Sequence, residues 1–137
     1  MLPSRLFPQK ELVDYCKEQG IVVVAHQPLG GVPVGAVRAQ TDVKPPLHHQ
    51  EIHDIASRCG KTPAQVCLSW AVQRGIPVIP KTVNKGRMGE NLELTKLSAE
   101  AFETVNKLVD KHGPVRFLDS SRHIGFDIFD EEHDQPV

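Results

Sequence analysis

The stretch that decides the fold is Ile76-Pro77-Val78-Ile79-Pro80-Lys81-Thr82-Val83-Asn84-Lys85-Gly86-Arg87-Met88-Gly89-Glu90-Asn91. Ile76 to Ile79 is apolar and rich in β-branched side chains, so it reads as a short buried strand. Pro77 and Pro80 allow only a few residues of it to pair. Asn84 is a favoured N-cap, and the helix it opens starts with amides that lack intrahelical partners. An anion is stabilised at such a point. Lys81 brings a mobile point charge, Thr82 a hydroxyl, and Arg87 a planar fork able to chelate phosphate or stack on a base. The combination suits a nucleotide phosphate. The same residues also suit a strand-to-helix turn with solvated basic side chains, and local chemistry does not choose between the two.

Upstream of this stretch the pattern predicts a buried helix. Thr62-Pro63-Ala64-Gln65 supplies a threonine N-cap, a proline at the first helical position and a glutamine placed to complete a capping box. Val66, Cys67, Leu68, Trp70, Ala71 and Val72 leave the helix little polar surface before Arg74-Gly75 ends it. Before it, a helix beginning at His48-His49-Gln50-Glu51-Ile52-His53 places Ile52, Ile55, Ala56 and Cys59 on one face and stops at Gly60. His49 and His53 are four residues apart, but no third ligand is spaced with them, so solvated histidines are expected and no metal site. Val32 to Leu47, with prolines at 33, 45 and 46, reads as a long loop.

Further upstream, Gln9 to Gln19 is an amphipathic helix with Leu12, Val13 and Cys16 on its apolar face and a glycine stop at Gly20. Tyr15 is expected to pack at the helix boundary. Ile21-Val22-Val23-Val24-Ala25 is a continuous apolar run, as in a strand buried on both faces of a parallel sheet. The two strands joined by a helix pair predict an α/β fold with a right-handed crossover. Their C-terminal ends, His26-Gln27-Pro28-Leu29-Gly30-Gly31 and Lys81 to Asn84, then lie on one side. The glycines there allow close backbone approach to a ligand, while His26 suits either stacking over a planar ligand or bonding to the backbone. Downstream, Ser98 caps a last helix with Ala101, Phe102, Val105, Leu108 and Val109 as its apolar face, and Gly113-Pro114 ends it. Residues 114–137 form an irregular, aromatic and finally acidic tail that suits either a pocket lining or a terminal strap.

Composition narrows the functional classes. The 137 residues carry 16 Lys and Arg against 17 Asp and Glu, interspersed except in the tail. No basic stripe exists to neutralise a polynucleotide, so no nucleic-acid partner is expected. The start is short and broken by prolines, and no long apolar run follows, so neither a signal peptide nor a membrane span is expected and the location reads as cytoplasmic. Cys16, Cys59 and Cys67 lack Cys-x-x-Cys spacing and fall at apolar helix positions, as reduced core cysteines do.

Several of these motifs, in this order, resemble the C-terminal half of an aldo-keto reductase. They are Gln9-Lys10-Glu11-Leu12 through Cys16 and Gly20, Ala25-His26-Gln27-Pro28-Leu29-Gly30, Gly60-Lys61-Thr62-Pro63-Ala64-Gln65-Val66, Trp70-Ala71-Val72-Gln73-Arg74-Gly75, and Ile79-Pro80-Lys81-Thr82-Val83-Asn84 with Arg87, Glu90 and Asn91. The closing Ile124-Gly125-Phe126-Asp127-Ile128-Phe129-Asp130 is similar to the tail of fungal members related to xylose and glycerol reductases. The resemblance covers nearly the whole chain. It implies the C-terminal portion of a (β/α)8 TIM barrel, the last two strands and their helices, with the barrel not complete in residues 1–137.

The resemblance further implies NADPH as cofactor, lying across the C-terminal rim. Lys81, Thr82 and Arg87 would hold the adenosine 2′-phosphate, with Val83 and Asn84 in the same segment and Asn91 and Glu90 near the adenine. Gln27, Leu29 and Gly30 would follow the pyrophosphate, and the tail would lie over the pocket for a small carbonyl substrate. In most members a tyrosine at position 26 stacks on the nicotinamide and a serine follows it; His26 can stack with less area. The family's catalytic tyrosine, lysine, aspartate and histidine come from the first half of the barrel, so no catalytic residue is assigned in this chain, and Tyr15 cannot substitute. Two strands cannot close a barrel, so a fragment, truncated product or decayed paralogue is expected, with open edges that invite self-association. Reduction of aldehydes and ketones and a non-catalytic nucleotide-binding or reductase-associating module are the two functional expectations.

Overall fold

The computed structural model describes residues 9–30 and 44–112; residues 1–8, Gly31, residues 32–43 of the loop expected from Val32 to Leu47, and residues 113–137 with the expected tail lie outside them. Five α-helices are described: α1 Lys10–Glu18, α2 Gln50–Cys59, α3 Pro63–Gln73, α4 Lys85–Leu92 and α5 Ala99–His112. A 3-10 turn, Pro46–His48, precedes α2, so the helix begins two residues later than the sequence pattern suggests. His49 sits at its N-cap, buried, with Nε2 donating to the Lys44 carbonyl at 2.8 Å.

The predicted caps form. Thr62 Oγ1 accepts the Gln65 amide while the Gln65 side chain accepts the Thr62 amide, completing the capping box at α3. Asn84 Oδ1 accepts the Arg87 amide at 3.1 Å, and Ser98 Oγ accepts that of Ala101 at 3.2 Å. Gly60 ends α2 in the left-handed region with φ 62°, which costs a glycine little.

The main core lies where α2, α3 and α5 meet. Ile52, Ile55 and Ala56 pack with Val66, Cys67, Trp70 and Ala71 and with Leu97, Ala101, Val105 and Leu108. Trp70 donates to Asn106 Oδ1 at 2.8 Å, so its polar edge is satisfied within the core. Arg74 lies 4.5 Å over the same indole, and burial pushes its guanidinium pKa down from its ordinary value. A second, smaller cluster of Val13, Ala25 and Ile76 joins α1 to the two extended segments, with Val78 touching both clusters.

Those segments correct the strand expectation. No strand is formed among the described residues; residues 21–25 and 76–80 run extended, linked by Ala25 N–H to the Pro77 carbonyl at 2.9 Å. Nor are they buried on both faces, since Ile21, Val22 and Ile79 are 53%, 73% and 80% exposed. The reason is physical: Pro77 and Pro80 bring no amide hydrogen to a ladder, and a continuous apolar run states a need for neighbours on both faces without supplying them. Three smaller expectations also change. Tyr15 and Leu12 are exposed, leaving Val13 as the buried residue of α1. Cys59 is exposed at the last position of α2, whereas Cys67 is core, and Cys16, Cys59 and Cys67 are all free thiols.

One face of α3 is polar. Gln65, Ser69 and Gln73 are spaced by four and so share a side of the helix. Gln65 Nε2 donates to the Glu90 and Glu93 carbonyls at 2.9 and 3.0 Å, Ser69 Oγ accepts the Thr95 amide at 3.1 Å, and Gln73 bonds the Leu97 backbone through both ends of its amide. This stripe stitches residues 90–97 onto α3. Within it Gln65 reaches α4 itself, a helix that has no buried side chain.

Candidate nucleotide-binding groove

The helix openings converge on a groove of about 450 Å3. One wall is Pro80, Lys81 and Thr82 with Arg87, Glu90 and Asn91 of α4; the other is Leu47 and His48 of the 3-10 turn, His53 of α2 and Thr62, Pro63 and Ala64 at the start of α3; Leu29 also lines the groove. Spacing explains the α4 contribution, since positions 87, 90 and 91 are i, i+3 and i+4 on a helix and face the same way. The cap explains its orientation. Thr82 Oγ1 accepts the Asn84 amide at 3.1 Å and Asn84 in turn caps Arg87, so the turn between segment and helix is bonded residue by residue.

Of the eleven residues expected at a cofactor, the groove brings together Leu29, Lys81, Thr82, Arg87, Glu90 and Asn91. Val83 and Asn84 do not line it: Val83 is exposed, and the Asn84 carbonyl oxygen is committed to the helix cap. His26 and Gln27 also lie off the groove, His26 exposed and Gln27 with φ 50° in the left-handed region. Gly30 is buried, and its φ of 68° serves packing, because a Cβ there would run into the Pro46 ring. Close approach by another part of the chain, rather than by a ligand, is what that glycine permits here.

Electrostatically, the groove joins two fixed cations to hydrogen-bonding groups of both kinds. Lys81 and Arg87 take no part in the ion pairs among the described residues, so both heads are available to an anion. The amides of Lys85 and Gly86, in the first turn of α4, have no intrahelical acceptor. Asn91 offers donor and acceptor together, Thr82 a hydroxyl, and Pro63, Ala64, Leu29 and Leu47 an apolar lining on which a planar ring can rest. No group of three metal-ligating side chains occurs among the described residues. His53 Nε2 donates to the Leu47 carbonyl at 2.9 Å, and the ring is thereby set against the groove wall instead of paired with His49.

The far wall is what the sequence did not disclose. In the sequence His53 reads only as a metal ligand with His49 or as a solvated residue, and His48 and Thr62 to Ala64 read only as helix starts. The available signal was the capping box itself, since a helix N-terminus so well defined orients a short, rigid wall.

The aldo/keto reductase family model matches residues 1–110. Aldehyde reductase YPR1 of Saccharomyces cerevisiae is 39% identical over 114 residues, which is 83% of this chain and 33% of that protein. Glycerol 2-dehydrogenase (NADP(+)) of the same yeast is 40% identical over 113 residues, again 33% of its length. A crystal structure of an aldo-keto reductase from the silkworm Bombyx mori superposes with a TM-score of 0.68 at 35% identity, covering 84% of this chain and 35% of that one. The chain thus spans about a third of the length of the relatives it matches. With a matching family model over most of its residues and the fold of a solved member beneath them, the chain belongs to the aldo/keto reductase family.

Proposed function

We propose that the groove receives the adenosine 2′-phosphate end of NADPH, and that the chain is the C-terminal portion of a (β/α)8 reductase that converts aldehydes or ketones to alcohols in the cytoplasm. The observation that carries this reading is the convergence of Lys81, Thr82, Arg87, Glu90 and Asn91 on one face beside an apolar ledge. Their chemistry fits the group. Arg87 and Lys81 would neutralise the 2′-phosphate, Thr82 would donate to it, and Asn91 with Glu90 would meet the adenine edge. In its place the cofactor would supply a hydride.

This chain's own contribution is therefore binding and orientation. Residues 1–137 contain no match to the family's catalytic tyrosine, lysine, aspartate and histidine, so proton transfer to the substrate oxygen falls to residues outside them. Residues 114–137, read as a tail over the substrate pocket, would shape substrate choice. A second reading is a nucleotide-binding module without chemistry of its own, or one that associates with a complete reductase through the exposed apolar side chains of Ile21, Val22 and Ile79.

Fluorescence titration with NADPH and NADH tests the cofactor assignment. Arg87 is exposed, so its pair with phosphate is worth the low end of a charge-assisted bond, and Arg87→Ala is expected to weaken NADPH about tenfold. NADH, which lacks the 2′-phosphate, should change by less than about twofold. Equal affinity of the unaltered chain for the two cofactors would sink the assignment.

A further inference from the structure

We propose that Gln65 is a positioning residue for the nucleotide, acting through the backbone of α4; the proposal rests on the NADPH reading above. Gln65 touches the groove with neither of its polar atoms, being 3% exposed. Its two ends do separate work. Oε1 accepts the Thr62 amide at 2.9 Å and so belongs to the capping box of α3. Nε2 donates one hydrogen to the Glu90 carbonyl at 2.9 Å and the other to the Glu93 carbonyl at 3.0 Å.

The Glu90 carbonyl lies in the last turn of α4, where it also accepts the Glu93 amide at 3.2 Å, and the Glu93 carbonyl belongs to the C-cap of that helix. Glu90 is itself a groove residue, and Arg87 and Asn91 flank it on the same face. Because α4 buries no side chain of its own, apolar packing cannot fix its distance from α3. One buried amide group, lying outside the groove itself, therefore ties Thr62 on one wall to Glu90 on the other. The spacing between the wall that holds Thr62, Pro63 and Ala64 and the wall that holds Arg87 and Asn91 follows from it. A capping box alone needs only the oxygen of this side chain; the occupied nitrogen is what makes Gln65 a clamp.

The test uses the whole chain and 2′,5′-ADP as the probe, measured by titration calorimetry with far-UV circular dichroism alongside. Gln65→Glu keeps the size and the Oε1 acceptor, but sets a carboxylate oxygen against two carbonyls. Gln65→Met fills the same volume with no polar atom. Both are expected to keep the helical signal and to bind 2′,5′-ADP about tenfold more weakly or worse.

The decisive readout is coupling to Arg87. If Gln65 acts through α4, adding Arg87→Ala to Gln65→Glu costs less than about twofold further, although Arg87→Ala alone costs about tenfold. Additive losses overturn the proposal, since a residue that merely stabilises the fold leaves the Arg87 contact intact. Binding within about twofold of the unaltered chain in either folded variant also overturns it. So does loss of the helical signal in both, because a clamp on one helix should not unfold the rest. Failure of the unaltered chain to bind 2′,5′-ADP counts against the nucleotide reading itself, and is thereby separate from a failure confined to Gln65.

Discussion

Charging the apolar edge is expected to abolish whatever self-association the chain shows. Ile21, Val22, Ile79 and Val83 are 53%, 73%, 80% and 81% exposed, on or just beyond the two extended segments. Full burial of a Val or Ile side chain contributes about 1.5–3 kcal/mol, so covering what these four expose on both chains of a dimer is worth roughly 9–17 kcal/mol. Bringing two free chains together costs about 4–15 kcal/mol in lost translation, rotation and side-chain freedom. In mid-range the surplus is only about 3–4 kcal/mol. Backbone groups of residues 21–25 and 76–80 that pair across the contact add a little on the favourable side.

A dimer built on this edge alone should then have a dissociation constant of about 1 mM or weaker, not about 1 µM. Sedimentation equilibrium over a wide concentration range should give a monomer mass when dilute and a rising average mass only towards the millimolar end. Val22→Lys and Ile79→Lys together should hold the mass at that of the monomer throughout, with the helical signal unchanged because neither residue is in the core. A tight dimer in the unaltered chain, or association that survives the two lysines, would show that another surface is responsible.

Two further outcomes follow from the packing of the helices. Gly60→Ala should cost about 1 kcal/mol of stability, measured by urea unfolding, because φ is 62° there; no atom lies within 4 Å of the added carbon, so the loss is conformational and not steric. The Lys111 ammonium, 2.8 Å from Glu51, lowers the Glu51 carboxyl pKa by direct hydrogen bonding. Since the folded value lies below the unfolded one, this pair adds stability that is complete above about pH 4.3 and is lost as pH falls further. Both partners retain solvent contact, so the gain stays under about 1 kcal/mol. Lys111→Met should lower stability at neutral pH by up to about 1 kcal/mol, leave it nearly unchanged in strong acid, and so flatten the acid limb of the curve; an unaltered acid limb would exclude the pair as its source.

What could be read from the sequence divides by range. Caps were legible because they are completed within four residues: Thr62 with Gln65, Asn84 with Arg87, Ser98 with Ala101. The α4 face was legible for the same reason, as positions 87, 90 and 91 can point only one way on a helix. The strand expectation failed at the other extreme. Ile21 to Val24 announces a need for burial on both faces, yet what stands beside it is set by residues far away or outside the chain. Gln65 fell between: its oxygen was placed by the local motif, but its nitrogen reaches 25 and 28 residues ahead, and no spacing rule carries that far.

The same division bears on which activity is self-sufficient. The groove walls from Leu47 to Asn91 lean on the large cluster shared by α2, α3 and α5, and α4 is tied to α3 by hydrogen bonds inside the same body. The extended segments rest on three buried residues, Val13, Ala25 and Ile76. Perturbing the edge therefore acts first on the weaker cluster, which meets the larger one at Val78. On the proposed reading, barrel closure and carbonyl chemistry would depend on the edge finding neighbours, whereas nucleotide binding would depend on the part of the chain that brings its own core. Binding of 2′,5′-ADP is thus expected to survive Val22→Lys with Ile79→Lys at close to the unaltered affinity. Its loss in a variant with intact helical signal would mean that the two clusters are one cooperative unit, and that the edge helps to hold the groove open.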